Sequence, residues 1–206
     1  PEETVEHKKF EVGNLDSLSR GQIIETMLSA GVWPFVRQRP YDVIANPTDK
    51  PKAIFISAFD TAPLAPDYTF ALEESSSECQ SGINALKKLT DGVVNLNIFK
   101  EERAKTTFTQ IEGVEQTFFA GKHPAGNVGV QIHHINPINK GEVVWVLNPQ
   151  DVIVIGRLFS KGIFDARVVV ALTGIVKNPR YYKTILGSSI KSFLSSETIG
   201  DDMRVI

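Results

Sequence analysis

Few side chains in this sequence could hold a metal or drive covalent chemistry, and their spacing is poor. His123, His133 and His134, with Asp60 as a fourth ligand, are the candidates for a metal centre. Adjacent residues on a helix point about 100° apart, so His133 and His134 do not share one ion, and no H-E-x-x-H sets two ligands on one face. The expectation is surface or interface histidines and no metal site. Gly126-Asn127-Val128-Gly129 starts a helix and could offer free backbone N–H groups to an anion. It is neither a full G-x-G-x-x-G nor a Walker loop, and its glycines have a second reading, close packing of that helix on a sheet. Cys79 has no basic neighbour that would lower its pKa, so a catalytic thiol is not expected. Ser57, Ser75 to Ser77 and Ser195-Ser196 show no G-x-S-x-G elbow. No catalytic residue is assigned.

The elements around these residues read as alternating helices and strands. Ser19-Arg20-Gly21-Gln22 has the form of a capping box, followed by Ile23, Ile24, Met27 and Leu28 at helical spacing and Gly31 as the stop. Pro34 and Pro40 frame Arg37-Gln38-Arg39, which predicts a packed connecting arm with exposed guanidiniums. Ala53 to Phe59 is almost continuously apolar, a strand buried on both faces, and it ends at Asp60-Thr61, where loops of α/β proteins meet ligands. A helix is expected from about Ser77 to Thr90, capped by Gly92, then a strand over Val93 to Phe99. Lys100 to Gln116 reads as a loop or edge hairpin, Thr117-Phe118-Phe119 as a strand, and Asn127 to Ile135 as a helix. Val143 to Val146 is a fourth strand. Asn148-Pro149-Gln150-Asp151 then combines a cap, a first-position proline and a first-turn acid, before a helix that ends at Gly162.

The expected fold class is therefore α/β, a mainly parallel sheet with helices on both faces. Val168 to Leu172, a Gly/Asn/Pro turn, Tyr181 to Thr184 and a helix at Ser189 to Leu194 predict a hairpin followed by a helix, the start of a β-grasp-like unit. The expected division is an extended segment over 1–18, the α/β domain over 19–165 and the partial β-grasp-like unit over 166–206.

Composition excludes several function classes. At 206 residues with 42% hydrophobic and 22% charged, the chain can bury a core without disulfide or metal staples. A net charge of −2 excludes a uniformly basic nucleic-acid binder. One cysteine excludes disulfide frameworks, Cys-rich zinc sites and iron–sulfur clusters held within the chain, and fits a reducing compartment. No stretch is long and apolar enough for a membrane span, and the acidic, polar start is no signal peptide. A beginning without Met and an apolar end at Met203 to Ile206 suggest a piece of something longer. Charge is uneven. Seven basic residues between Arg157 and Leu194 face Asp165 alone, whereas six acids between Asp60 and Asp91 face Lys87 and Lys88. These are either two solvated faces or a polar molecule whose basic end contacts a partner or anionic headgroups.

Five stretches taken together resemble a family. They are Met27 to Trp33 followed by Arg37-Gln38-Arg39-Pro40; Ala53 to Ala65; His123-Pro124-Ala125-Gly126-Asn127-Val128-Gly129 running to His133; Leu147 to Ile153 with Ile155 to Phe159; and Val169 to Gly174 with Lys177-Asn178-Pro179-Arg180. In order and spacing they resemble the middle of the NqrA family, a component of the Na⁺-translocating NADH:quinone oxidoreductase. The resemblance implies a peripheral subunit on the cytoplasmic face of the bacterial inner membrane. Its six-subunit complex passes electrons from NADH to ubiquinone and exports Na⁺, using flavins and iron–sulfur centres in other subunits. It implies a Rossmann-like domain akin to the NADH- and FMN-binding subunit of respiratory complex I, then a β-grasp unit, with the membrane subunit NqrB as chief partner.

The glycine-rich flavin loop of that relative has no counterpart here, so no tightly bound flavin and no hydride transfer are expected. A scaffold and quinone-proximal docking role follows, with Asp60, Thr61, His123, Gly126, Gly129, Trp33, Arg37 and Arg39 as candidate quinone, ligand or interface residues. A self-sufficient flavin- or nicotinamide-binding oxidoreductase, and the equivalent subunit of the related ferredoxin-linked complex, are the competing readings.

Overall fold

α1 (Arg20–Ala30) starts as its capping box requires: the Ser19 backbone N–H donates to Gln22 Oε1 at 2.9 Å, and Gly31 closes the helix at φ 77°. Its buried stripe of Ile23, Ile24, Met27 and Ala30 faces the sheet. The structure, a computed structural model, describes residues 7–102, 106–194 and 197. The Ser195-Ser196 pair, the Met203 to Ile206 end and part of the first and last expected segments lie outside those residues.

Six strands form the main sheet: β1 (Arg37–Arg39), β2 (Val43–Ile44), β3 (Ala53–Ser57), β4 (Val93–Phe99), β5 (Glu115–Phe119) and β6 (Val144–Leu147), in the order β2-β1-β6-β3-β4-β5. β3, β4, β5 and β6 run parallel, with Ile54 opposite both Val94 and Trp145. The arm around Arg37-Gln38-Arg39 corrects the sequence reading. It is a strand, antiparallel to β6, and its guanidiniums are half-buried beside Asp42 instead of standing free. Prolines at 34 and 40 flank the strand without interrupting it, so they exclude helix but not sheet. Of the loop or edge hairpin expected over Lys100 to Gln116, the described part is a loop: it holds two 3₁₀ turns, the second containing the fully buried Phe108, and β5 joins as a parallel edge strand.

The two faces of the sheet are covered unequally. Ile54, Ile56, Leu96, Ile98, Trp145 and Leu147 pack with α1, α3 (Ser76–Lys87) and α5 (Pro149–Lys161) in one large cluster. Ala53, Phe55, Val144 and Val146 point the other way, where α4 (Val128–Ile135) covers them mainly through Ile132. Helices on both faces follow from the period-2 alternation of strands that are apolar on both sides. α3 and α5 touch backbone to backbone: a Cβ at Gly156 would lie 1.7 Å from Glu78 O, and one at Gly82 2.1 Å from Val152 O. Gly92 is not the α3 cap. That helix ends at Lys87, and Gly92 is required because a Cβ there would meet Lys52 O at 1.9 Å.

β7 (Arg167–Leu172) and β8 (Arg180–Ile185) make a separate antiparallel pair, followed by the one-turn α6 (Lys191–Leu194). Gln150, in the first turn of α5, holds this hairpin as a strand would. Its Nε2 donates to Val169 O at 3.0 Å and its Oε1 accepts the Val169 N–H at 2.7 Å. Gln150→Ala should therefore loosen the hairpin by about 1–2 kcal/mol, seen as faster hydrogen exchange at the Val169 amide with the sheet amides unchanged.

Charge pairing alters the picture of two solvated faces. Lys161 pairs with Glu78 at 2.8 Å, Lys183 with Glu74 at 3.4 Å, Arg157 and Arg167 with Asp165, and Arg180 with Glu197. Glu74 and Glu78 of the acidic stretch thus pair with Lys183 and Lys161 of the basic one, and the remaining pairs form within or beyond the basic stretch.

Candidate functional site

Along the chain, the sheet is laid down β3, β4, β5 in one direction, and the chain then returns to add β6 on the other side of β3. Diverging connections at such a reversal leave a gap beyond the carboxyl ends of the strands, where open α/β sheets take their ligands. A crevice of about 620 Å³ opens there. Its walls include Ser57, Phe59 and Asp60 at the end of β3, Leu147, Asn148 and Asp151 after β6, Arg37 and Arg39 of β1, the start of α4, and Tyr68 at the start of α2 (Tyr68–Ala71).

The residues expected from the sequence fall into three groups. Arg37, Arg39, Asp60, Gly126 and Gly129 line the crevice. Thr61 and His123 stand behind it: Thr61 Oγ1 accepts the Gly126 N–H at 2.8 Å and lies 3.3 Å from His123 Nδ1. Trp33 is elsewhere, 3% exposed, its Nε1 donating to Ala45 O at 2.7 Å and its ring edge-on to Trp145 at 5.4 Å. His133 and His134 are exposed on the last turn of α4, and no cluster of metal-ligating side chains exists among the described residues.

The two glycines divide between their two readings. A Cβ at Gly126 would meet Thr61 N at 2.5 Å, so this glycine allows the loop before α4 to press on the loop after β3. Nothing lies within 4 Å of a Cβ at Gly129, and the Asn127 side chain does not cap α4, so the helix start faces open space. One position opens to space and the other is filled by protein, so the two glycines play different parts.

Behind the crevice wall at Ser57 runs a buried polar chain that sequence reasoning missed. Asn97 Nδ2 donates to Gln131 Oε1 at 2.7 Å, and Gln131 Nε2 donates to Ser57 Oγ at 2.9 Å and to Ala125 O at 3.1 Å. Ser57 Oγ in turn donates to Phe59 O at 2.8 Å. Asn97 and Gln131 are fully buried, so these bonds fix α4 against the ends of β3 and β4. The available signal was two asparagines in an otherwise apolar strand.

Tyr68 and Asp151 were missed as well. Burial, then the negative charge of Asp60, raises the Tyr68 hydroxyl above its ordinary value. Burial pushes Asp151 up to about 6, opposed only by the Asn148 N–H that donates to its Oδ2 at 3.3 Å. Asp151 thus stabilises the fold in its protonated form, a contribution lost as pH rises through about 6. Arg39 Nε is buried in the crevice wall without a hydrogen bond, its nearest charge being Asp42 Oδ1 at 3.7 Å. Two guanidiniums, a phenol and a carboxyl that takes up a proton near neutrality can hydrogen-bond the oxygens of a small polar ring. None is arranged as a nucleophile with its base. Cys79 lies outside the crevice, 2% exposed, its thiol pushed up to about 12 by burial.

Residues 18–164 match the family described as NqrA second alpha/beta domain. The NqrA protein of the Na(+)-translocating NADH-quinone reductase of Alcanivorax borkumensis is 35% identical over all of this chain, which covers 46% of that relative. The corresponding proteins from Neisseria meningitidis and Shewanella frigidimarina are each 34% identical, over 98% and 100% of this chain and 45% of their own length. The chain thus spans about half the length of these relatives. Among solved structures, an NAD+-reducing [NiFe]-hydrogenase in the air-oxidized state superposes with a TM-score of 0.59 at 14% identity, over 92% of this chain and 40% of that one. At that identity the likeness is one of fold, Rossmann-like with a mostly parallel sheet.

Proposed function

The chain belongs to the NqrA family, and on that premise we propose that it serves the Na⁺-translocating NADH-quinone reductase as an element without a redox cofactor of its own, its crevice receiving the quinone head group. In this reading the protein is peripheral on the cytoplasmic face of the inner membrane and docks on the membrane subunit NqrB, while NADH, flavins and iron–sulfur centres act in other subunits. Among the described residues no helix is long and apolar enough to cross a membrane, which accords with a peripheral place.

The observation that carries the proposal is the crevice at the sheet reversal, lined by Arg37, Arg39, Tyr68 and Asp151. Arginine N–H groups and the Tyr68 hydroxyl donate to quinone carbonyl oxygens, and Asp151 can hold a proton beside them. The chain as it stands would bind and orient the head group, and the electrons would arrive from elsewhere in the complex.

Thermal unfolding of the chain with FMN, NADH or a short-chain ubiquinone tests this. A ligand at 100 times its Kd stabilises by about 2.7 kcal/mol, a rise in Tm of roughly 5–10 °C for a domain of this size. The expected result is a shift with ubiquinone only, abolished in Arg37→Ala/Arg39→Ala. The open start of α4 at Gly129 favours one second reading, a flavin- or nicotinamide-binding oxidoreductase; a shift with FMN or NADH and none with ubiquinone would replace the proposal by it.

A further inference from the structure

A quinone is an amphiphile, and its isoprenoid tail needs apolar surface beside the polar groups of the crevice. The loop 60–67 leaves the crevice at Asp60 and returns to it at Tyr68. Midway, Leu64 is held at φ 65°, a left-handed conformation disfavoured for a bulky side chain, and 66% of its surface is exposed. The turn between β7 and β8 meets it there. Thr173 Oγ1 donates to Leu64 O at 3.4 Å, and a Cβ on Gly174 would lie 3.8 Å from Leu64 Cδ1. Ile175, the next residue, is 66% exposed. Phe70, 60% exposed, packs its ring 5.0 Å from that of Tyr181, whose hydroxyl accepts the Asp67 N–H at 2.8 Å. Apart from Tyr41, these are the three most exposed large apolar side chains among the described residues, and all three lie where the segment 60–71 runs against the β7–β8 hairpin. Scattered apolar side chains are ordinary, whereas a cluster beside a polar pocket marks a surface with a function.

We propose that Leu64, Ile175 and Phe70 form a ridge that carries the isoprenoid tail of a quinone whose head group occupies the crevice. The inference rests on the quinone reading above and adds a second subsite to it. Branched aliphatic and aromatic groups suit a chain that carries a methyl branch on every isoprene unit, and the loop that bears Leu64 begins at the crevice wall. The tail would bury one side on the ridge and leave the other for whatever faces this surface in the complex.

The test measures binding of the ubiquinone head group carrying no, one or two isoprenoid units to the 206-residue chain. One-sided burial recovers roughly a third of the full transfer gain, so affinity should rise about ten-fold per unit. In Leu64→Ser/Ile175→Ser the gain should fall to about three-fold or less per unit, with affinity for the tail-less head group unchanged. Tyr41→Ser/Ile44→Ser, on the β1–β2 hairpin, should keep the full gain. An undiminished gain in the ridge variant, or an equal loss in the control variant, would overturn the ridge. Head-group binding with no dependence on tail length would overturn the ridge alone. No binding by any of the three ligands would overturn the quinone reading and the ridge with it.

Discussion

Gly156→Ala should lower the unfolding midpoint by roughly 6–12 °C, the largest effect expected from adding a single methyl group to this chain. The added Cβ would fall 1.7 Å from Glu78 O and 2.9 Å from Gly82 N. Both neighbours are backbone of α3, so no side chain can rotate away, and the helices must separate. α3 and α5 cover the centre of the sheet with Ile83, Leu86, Val152, Ile155 and Leu158, and a separation loosens all of those contacts. Overpacking a core costs about 1–3 kcal/mol where side chains can yield, and here the upper end, about 3 kcal/mol, applies. Gly129→Ala is the comparison, because nothing lies near its Cβ and a helix prefers alanine to glycine by about 1 kcal/mol. Calorimetry of the two variants checks the contrast. Equal midpoints would mean that α3 and α5 are not in backbone contact.

Asp165→Ala should be nearly as damaging, by about 2–3 kcal/mol, through charge in place of packing. Asp165 is fully buried and takes the Arg167 Nε–H at 2.8 Å, with Arg157 Nε 3.9 Å away. Burial pushes its pKa up, but the hydrogen bonds from Arg167 and the charges of Arg157 and Arg167 outweigh this and hold it at about 2. The folded value lies below the ordinary 3.8, so the carboxylate stabilises the fold above that pH. About 2 kcal/mol is then lost as pH falls from about 4 to 2. Removing the carboxylate strands Arg157, whose Nη1 also donates to Arg167 O at 2.8 Å at the start of β7. Urea titrations at pH 7 and near pH 3 should show the variant less stable at the higher pH and nearer to the parent at the lower. An equal deficit at both would assign the loss to packing instead of charge.

Local signals explain which elements are readable from sequence. Ser19 with Gln22, and Asn148-Pro149 with Asp151, mark helix starts because caps satisfy backbone groups within a few residues. Val93 to Phe99 is delimited correctly by its alternating pattern. β1 is not, because a three-residue strand of Arg-Gln-Arg has no apolar pattern; its place comes from pairing with β6, more than a hundred residues away. Arg37 and Arg39 are legible as candidates because prolines frame them, and Asp60 and Gly129 because they stand just after a strand and at a helix start. Tyr68, Gln131 and Asn97 are not, since each acts through a partner distant in sequence. Trp33 misleads for a related reason: an aromatic beside two arginines reads as a binding surface until the fold shows its ring against Trp145. The pairing of Glu74 and Glu78 with Lys183 and Lys161 is likewise invisible as long as each stretch is read alone.

Among the described residues α4 is the one helix on its side of the sheet, and that gives the crevice wall a stability of its own. Its one fully buried apolar side chain, Ile132, with the partly buried Val128 and Ile135, covers far less than α3 and α5 do across the sheet. The helix is tied down instead by the hydrogen bonds of Gln131 to Asn97 and Ser57. Such a segment opens as a separate unit, at a free energy well below that of global unfolding. A molecule seated against its first turn would close that local opening before it altered the stability of the whole chain. Occupancy of the crevice is thereby converted into order on one side of the sheet.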